Sequence, residues 1–190
     1  LMAIAGVGGF IVRDAMVGDS NAGKAEVADL RAKVAANPDS AENHLQLGFA
    51  YQKNGEYDRA LTEYDIVLDS DDNNTGALYN RGMVYMKLKL WDKAEESLWD
   101  VLDVDKTHAL AAKALGEYYA AKGHYRSLIA AVRPAVMANP EMGDLQYLMG
   151  LAYEKLGRKD WAAVRYGLAL KYVPDMQLAR QGLSRVGGEE

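Results

Sequence analysis

Apolar residues along most of the chain recur at three- and four-residue intervals, the spacing that lines one face of an α-helix. Leu45, Leu47 and Phe49, up to Tyr51, form one such stretch. Asn54-Gly55-Glu56 then interrupts it, and Ala60, Leu61, Tyr64, Val67 and Leu68 form a second. The pattern predicts helix, turn, helix, and then it starts again. Gly48, Gly82, Gly116 and Gly150 stand 34 residues apart, and Tyr51, Tyr85, Tyr119 and Tyr153 keep the same step. Four units follow without insertion or deletion, at residues 41–74, 75–108, 109–142 and 143–176. Lys122-Gly123-His124 repeats the turn, and Asn139-Pro140 and Val173-Pro174 close the last two units, because proline does not continue a helix.

Each column has a packing role. Glycine lacks a Cβ, so the two helices of a hairpin approach closely there. Ala60, Ala94 and Ala162 give the same closeness from the second helix, and the tyrosines fill the wider gap to a neighbouring helix. Trp91 stands where Tyr57 and Tyr125 stand and is expected in the core. The third unit departs twice: Leu128 replaces the alanine, and Pro134 lies inside the second helix, predicting a kink or a shortened helix over 128–138. Outside the units, residues 22–36 read as a helix with Val27, Leu30 and Val34 inward, ended by Asn37-Pro38. Residues 177–186 read as a last helix with Leu178, Gly182, Leu183 and Val186 on one face, covering the stacking face the last unit would otherwise expose. The organisation is thus 1–21 apolar arm and linker, 22–40 N-terminal helix, 41–176 repeats and 177–190 capping helix and tail.

These units resemble the tetratricopeptide repeat (TPR), whose pattern is W-x2-L-G-x2-Y, then A-x3-F, then P. Here it reads His44-x2-Leu47-Gly48-x2-Tyr51 and Ala60-x3-Tyr64, then Leu78-x2-Arg81-Gly82-x2-Tyr85 and Ala94-x3-Leu98. The third unit has Ala112-x2-Leu115-Gly116-x2-Tyr119, and the fourth Gln146-x2-Met149-Gly150-x2-Tyr153 and Ala162-x3-Tyr166. No unit has the tryptophan, and the first two have Asp72 and Lys106 in place of the closing proline. The resemblance implies an all-α fold, a right-handed superhelical solenoid of antiparallel helix pairs with flanking capping helices. It also implies a concave groove lined by first helices that holds a peptide or helix of a partner.

Composition narrows the chemistry. Lys and Arg number 22 against 27 Asp and Glu, a net charge of −5, which lacks the basic face a nucleic-acid binder needs. The chain has no cysteine, so thiol catalysis, disulfides and Cys-ligated metals are excluded. His44, His108 and His124 share no helical spacing that would pair them. Gly18-x4-Gly23-Lys24 matches part of a phosphate-binding loop, but Ala25 stands where the magnesium-holding hydroxyl belongs, and the stretch reads as a flexible linker with a helix start. The run from Asp69 to Thr75 resembles the opening of a calcium loop, yet Asn74 and Asn80 occupy its glycine and bidentate-glutamate positions, so a solvated turn is expected. No catalytic constellation appears, and no cofactor or metal is expected.

Residues 1–12, from Leu1 to Val12, are uncharged and apolar. Twelve helical residues span about 18 Å against a bilayer core of about 30 Å. Three readings fit: the end of a membrane anchor, an arm buried in a partner subunit, or a signal-peptide remnant. The first gives a membrane-associated protein of the bacterial envelope. The flank Arg13, Asp14, Asp19, Lys24 and Glu26 has no basic excess, which places the repeats outside the cytoplasm, with a cytoplasmic location as the alternative.

By the resemblance, the groove columns hold Leu45, Tyr79, Lys113 and Tyr147 three before the glycine, and Phe49, Met83, Glu117 and Leu151 one after. Gln52, Met86, Ala120 and Glu154 lie four after. Chaperone-binding relatives carry Lys and Asn in the first repeat to grip a terminal carboxylate; here only Asn80 fits that pattern. Apolar groove residues with Tyr and Met suit an amphipathic helix or an extended apolar segment. Trp99 and Trp161 fall in columns otherwise holding Asp65 and Arg133, or Arg59 and Lys93, and mark a lateral interface. The expected function is a non-catalytic scaffold or adaptor tethered to a membrane. The alternative is a permanent structural subunit of a larger complex or filament, held by residues 1–12.

Overall fold

The computed structural model describes residues 8–187, and their side chains from residue 21 onward. Among these residues there is no strand, only α1 (Gly8–Ala36), α2 (Ala41–Lys53), α3 (Tyr57–Ser70), α4 (Thr75–Lys87), α5 (Trp91–Val104), α6 (Ala109–Lys122), α7 (Tyr125–Ala138), α8 (Gly143–Lys155), α9 (Lys159–Tyr172) and α10 (Gln177–Val186). The fold is all-α, built of helix pairs at the repeat positions. Two compact units divide at Ala94 and Glu95. In the first, α1 packs on α2, α2 on α3, and α4 on both α2 and α3. In the second, α6 packs on α7 and α8, α7 on α8, α8 on α9, and α10 covers α8 and α9.

The glycine column shows why the pairs close. A Cβ on Gly48 would stand 2.6 Å from Cε1 of Tyr64, and one on Gly150 would stand 2.7 Å from Cδ1 of Tyr166. At Gly116 the neighbours are Val132 at 2.8 Å and Leu148 at 2.9 Å. Each glycine is therefore the seat for the residue four after the second-helix alanine column, a column that Leu128 fills in the third repeat. Tyr166 is held from both sides, because a Cβ on Gly182 of α10 would lie 2.4 Å from its Cζ. Tyr64, Val132 and Tyr166 are fully buried.

Helix ends follow the same period. Ser40, Asn74 and His108 stand 34 residues apart, and each accepts a hydrogen bond from the backbone N–H three residues on, at 3.3, 3.0 and 3.2 Å. They satisfy donors that a helix start leaves open. Asp71 accepts from the Asn73 N–H, so the calcium-like stretch serves as capping and turn residues. The turn inside each pair places Gly55, Gly123 and Gly157 at φ of 77°, 74° and 74°. Lys89 takes that position in the second pair at φ 59°, where a Cβ costs about 1 kcal/mol.

The ends agree with the pattern in part. Val27 and Leu30 of α1 are buried and Val34 packs against the same core. Helix α1 begins at Gly8, however, so residues 18–24 lie inside a helix and form no strand–loop–helix phosphate cradle. A Cβ on Gly23 would meet only the exposed Asn54 side chain at the α2–α3 turn. On α10, Ala179, Gly182 and Leu183 face inward while Leu178 is exposed, since 179 and 183 share a helical face and 178 lies a step of about 100° away. Trp91 is exposed rather than in the core, because its column is the first residue of the second helix, at the mouth of the hairpin. Pro134 does not shorten α7, which keeps the 14 residues of α3 and α9. The carbonyl left without a donor belongs to Ala130, which is exposed to water. Residues 1–7 and the side chains of residues 8–12 lie outside the description, and no helix among the described residues is long and apolar enough to cross a membrane.

Glycine-to-alanine substitutions separate seat from surface. Gly150→Ala is expected to lower stability by about 1–3 kcal/mol, because the methyl meets a buried ring. Gly167→Ala, inside α9 with nothing within 4 Å of the added methyl, is expected to raise it by about 0.5–1 kcal/mol. Thermal melts of both variants check the opposed signs; equal effects would contradict the packing.

Candidate protein-binding surfaces

The groove columns lie on the first helices, and the two units present different chemistry. In the first unit, Leu45, Tyr79, Asn80, Met83 and Met86 are half-buried and Phe49 is 48% exposed. Leu45 reaches Gly76 of α4, with 3.3 Å from its Cδ2 to where a Cβ would be. Phe49 borders a cleft of about 270 Å³ with Glu26, Asp29, Leu30 and Lys33 of α1 and Gln46 of α2. The Lys53 ammonium stands 5.9 Å from its ring centroid. Asn80 donates its amide to the Gly76 carbonyl at 2.8 Å, within its own helix, which commits one of its two amide hydrogens.

The second unit carries more charge. Lys113 pairs with Asp144 from α6 to α8, and Glu117 is exposed. Tyr147 and Leu151 are half-buried. The Tyr147 ring lies 6.0 Å from that of Tyr166, and burial pushes its hydroxyl above the ordinary value.

Behind these columns run polar contacts that the period alone does not reveal. Tyr64 donates to Gln52 Oε1 at 2.7 Å, and Tyr166 donates to Glu154 Oε2 at 2.6 Å. Arg185 of α10 grips the same Glu154 with two bonds of 2.9 and 3.0 Å. That grip, with the Tyr166 bond, holds the Glu154 carboxyl below its ordinary value against the effect of burial. Gln52 and Glu154, in the column four after the glycine, are thus engaged inward.

The two tryptophans separate. Trp99 is half-buried, and its indole N–H donates to Tyr119 Oη at 2.7 Å. Tyr119 donates on to Glu95, and burial with that bond pushes its hydroxyl up to about 12. Trp161 is 58% exposed, beside Val164 at 62%, with its ring 5.6 Å from Tyr153. Its column has a shared task. Arg59 covers Tyr51 at 5.6 Å and Lys93 covers Tyr85 at 5.5 Å, so Trp161 replaces a cation as the cover of the column's tyrosine.

His44 fills the place of the family's tryptophan and is 6% exposed. Its Nδ1 is 2.6 Å from Glu63 Oε2 and its Nε2 is 2.8 Å from the Pro38 carbonyl. Both partners accept, so both contacts are hydrogen bonds only when the ring is doubly protonated. Gln146 does the same work 102 residues on, donating to the Pro140 carbonyl at 2.8 Å and accepting from Arg165 at 3.0 Å.

Repeated helix pairs whose recurrent residues are packing residues define a helical-repeat protein, a class suited to protein–protein interaction. The chain is a tetratricopeptide-repeat protein. A tetratricopeptide-repeat profile matches residues 45–102. A crystal structure of MamA protein is similar over 77% of this chain and 80% of that one, at 28% identity and a TM-score of 0.69. YrrB, a TPR protein with an unusual peptide-binding site, aligns over 90% of this chain and 88% of its own, at 18% identity and a TM-score of 0.68, a likeness of fold. The BBSome complex member BBS4 of Bos taurus is 28% identical over 138 residues, 73% of this chain and 26% of that protein. The chain thus spans about a quarter of that relative's length.

The His44 brace makes stability pH-dependent. Burial lowers its pKa, but the bonds to Glu63 and the Pro38 carbonyl, with the charges of Glu63 and Asp39, outweigh burial and raise it above 6.5. Its stabilisation is complete below pH 6.5 and is lost as pH rises through the raised folded value. Melts of wild type and His44→Gln from acid to alkaline pH should show this decline in wild type alone. A parallel decline in both would assign it to other groups.

Proposed function

We propose that this protein is a non-catalytic scaffold that holds an amphipathic helix or an extended apolar segment of a partner on its first-helix faces. The observation that carries the reading is the face of α2 and α4. Tyr79, Met83 and Met86 are half-buried and Phe49 is half open to solvent. Thioethers adapt to a partner's shape and aromatic rings anchor it. The carboxylate-gripping alternative has less support, since Asn80 bonds its own helix and Lys113 is paired with Asp144. That YrrB has a peptide-binding site and that BBS4 belongs to a complex accord with a role in protein binding. The apolar residues 1–12 supply the tether in this reading, with the repeats outside the cytoplasm. A second reading, a permanent subunit of a larger assembly, draws on Trp161 and Val164, large apolar side chains adjacent on one exposed face.

Peptide display on the immobilised chain tests the scaffold reading. Amphipathic or apolar sequences should be selected, and their affinity should fall by more than about tenfold in Phe49→Asp/Met83→Asp with helix content intact. Unchanged affinity in the folded double variant would remove the site from this face. The tether has its own measurement: the full chain should fractionate with membranes and a chain starting at Gly18 should not. Identical partition of the two would sink it.

A further inference from the structure

Three arginines converge on one cleft of the second unit. Arg126, Ile129 and Arg133 lie at i, i+3 and i+7 on α7, and Tyr153, Leu156 and Arg158 close the other side from the end of α8 and the turn into α9. The cleft measures about 340 Å³. Its floor is apolar, with Ile129 and Tyr153 buried and Leu156 at the rim 37% exposed. All three arginines are exposed, and none has an ion pair or side-chain hydrogen bond among the described residues.

The repeat register shows how unusual this is. The column of Arg126 holds Asp58, Asp92 and Asp160 in the other three repeats. Arg133 stands where the first repeat has Asp65, and Arg158 where it has Glu56. At three positions around one cleft, acid has become guanidinium, in a chain whose net charge is −5. Packing does not call for this, since the first repeat folds with acids at the same places.

We infer that this cleft is a second binding site, and that it takes an acidic segment of a partner protein in which carboxylates flank an apolar side chain. Guanidinium groups bind carboxylates through paired parallel hydrogen bonds. Positions i and i+7 lie about 10 Å apart along a helix, so the ligand carries its negative charge over that length rather than on one small anion. The floor of Ile129, Tyr153 and Leu156 accepts an apolar side chain between the charges. A bilayer or a nucleic acid would also bring the rest of the acidic surface close and meet repulsion there. The site is separate from the groove columns. On α8, Tyr153 lies two residues and so about 200° round the helix from Leu151.

A fluorescein-labelled peptide of Glu-Leu-Asp triplets, titrated against the full chain at low and moderate salt, tests this. Binding should be salt-sensitive, and a Gln-Leu-Asn peptide should bind at least about tenfold more weakly. Arg126→Asp/Arg133→Asp/Arg158→Glu puts first-repeat residues into the cleft and should abolish binding. Arg126→Gln/Arg133→Gln/Arg158→Gln, checked for an unaltered melt, should weaken it by about tenfold or more without reversing the charge. Phe49→Asp/Met83→Asp should bind the acidic peptide as wild type does, whether or not it still binds groove peptides. Equal affinity for the two peptides, unchanged affinity in the glutamine variant, or loss in the Phe49/Met83 variant would overturn the proposal. So would arginine-dependent binding of phosphatidylserine vesicles or single-stranded DNA with no binding of the peptide.

Discussion

A second-helix side chain seated on a first-helix glycine is the contact from which the other features of each repeat follow. Tyr64 on Gly48 and Tyr166 on Gly150 bring the helices of a pair so close that no Cβ fits between them. Such a seat buries a whole ring, and with it a phenolic hydroxyl that needs a partner. Burial raises the pKa of both hydroxyls, so they stay neutral donors. Gln52 and Glu154, one helical turn beyond the glycines, accept from them. At the end of the array the chain of dependence runs one step further, because Glu154 also takes the two bonds from Arg185 that tie α10 in place. Val132 on Gly116 shows the alternative: with no hydroxyl to satisfy, Ala120 suffices where Gln52 and Glu154 stand.

This seat divides the residues of the repeat into two kinds. The glycine column recurs because the helices of a pair close on it, and the tyrosine, alanine and capping columns recur in most repeats because they fill or finish that contact. Some residues that break their column, such as Leu128 and Val132, stay in the core, while others fall on exposed faces. Trp161 exchanges a cation for an indole over the same tyrosine and leaves apolar surface in water. Lys89 keeps the left-handed turn without glycine. The pairing of Lys113 with Asp144 gives the first-helix face of the second unit a polarity that Phe49, Met83 and Met86 do not have.

The helix pairs, their turns and the inward faces of the repeats were legible in the sequence because a fixed 34-residue period samples each position four times, and the inward face of α1 was legible from the helical spacing of Val27, Leu30 and Val34. Features occurring once or twice were not. Trp91 looked like core because aromatic residues share its column, but a helix's first residue at a hairpin mouth is half open whatever its side chain. Leu178 looked inward because it shares a helical face with Gly182, while the small Ala179 is the residue that is buried. Pro134 forecast a kink or a shortened helix, and α7 keeps its full length with Ala130, whose carbonyl loses its donor, exposed to water. The braces at His44 and Gln146 were hidden because imidazole and amide look unrelated until both are seen bonding the carbonyl of a proline six residues earlier. The groove residues could be listed from the register, but not their prior engagements: nothing in a column says that Asn80 bonds its own helix.

Charge distribution bears on how two binding surfaces could work on one small scaffold. An acidic chain repels an acidic segment at long range over most of its area. Where three unpaired guanidinium groups face one cleft, the sign reverses locally. A carboxylate-bearing segment then has one favourable register and unfavourable neighbours on both sides, which gives selectivity through repulsion as well as attraction. An apolar segment on the first-helix faces would be held by desolvation instead, which salt does not screen. The two modes therefore respond to different variables, ionic strength for one and apolar area for the other. A partner carrying both kinds of segment would gain from linking them, because the second contact forms at the effective concentration set by the first.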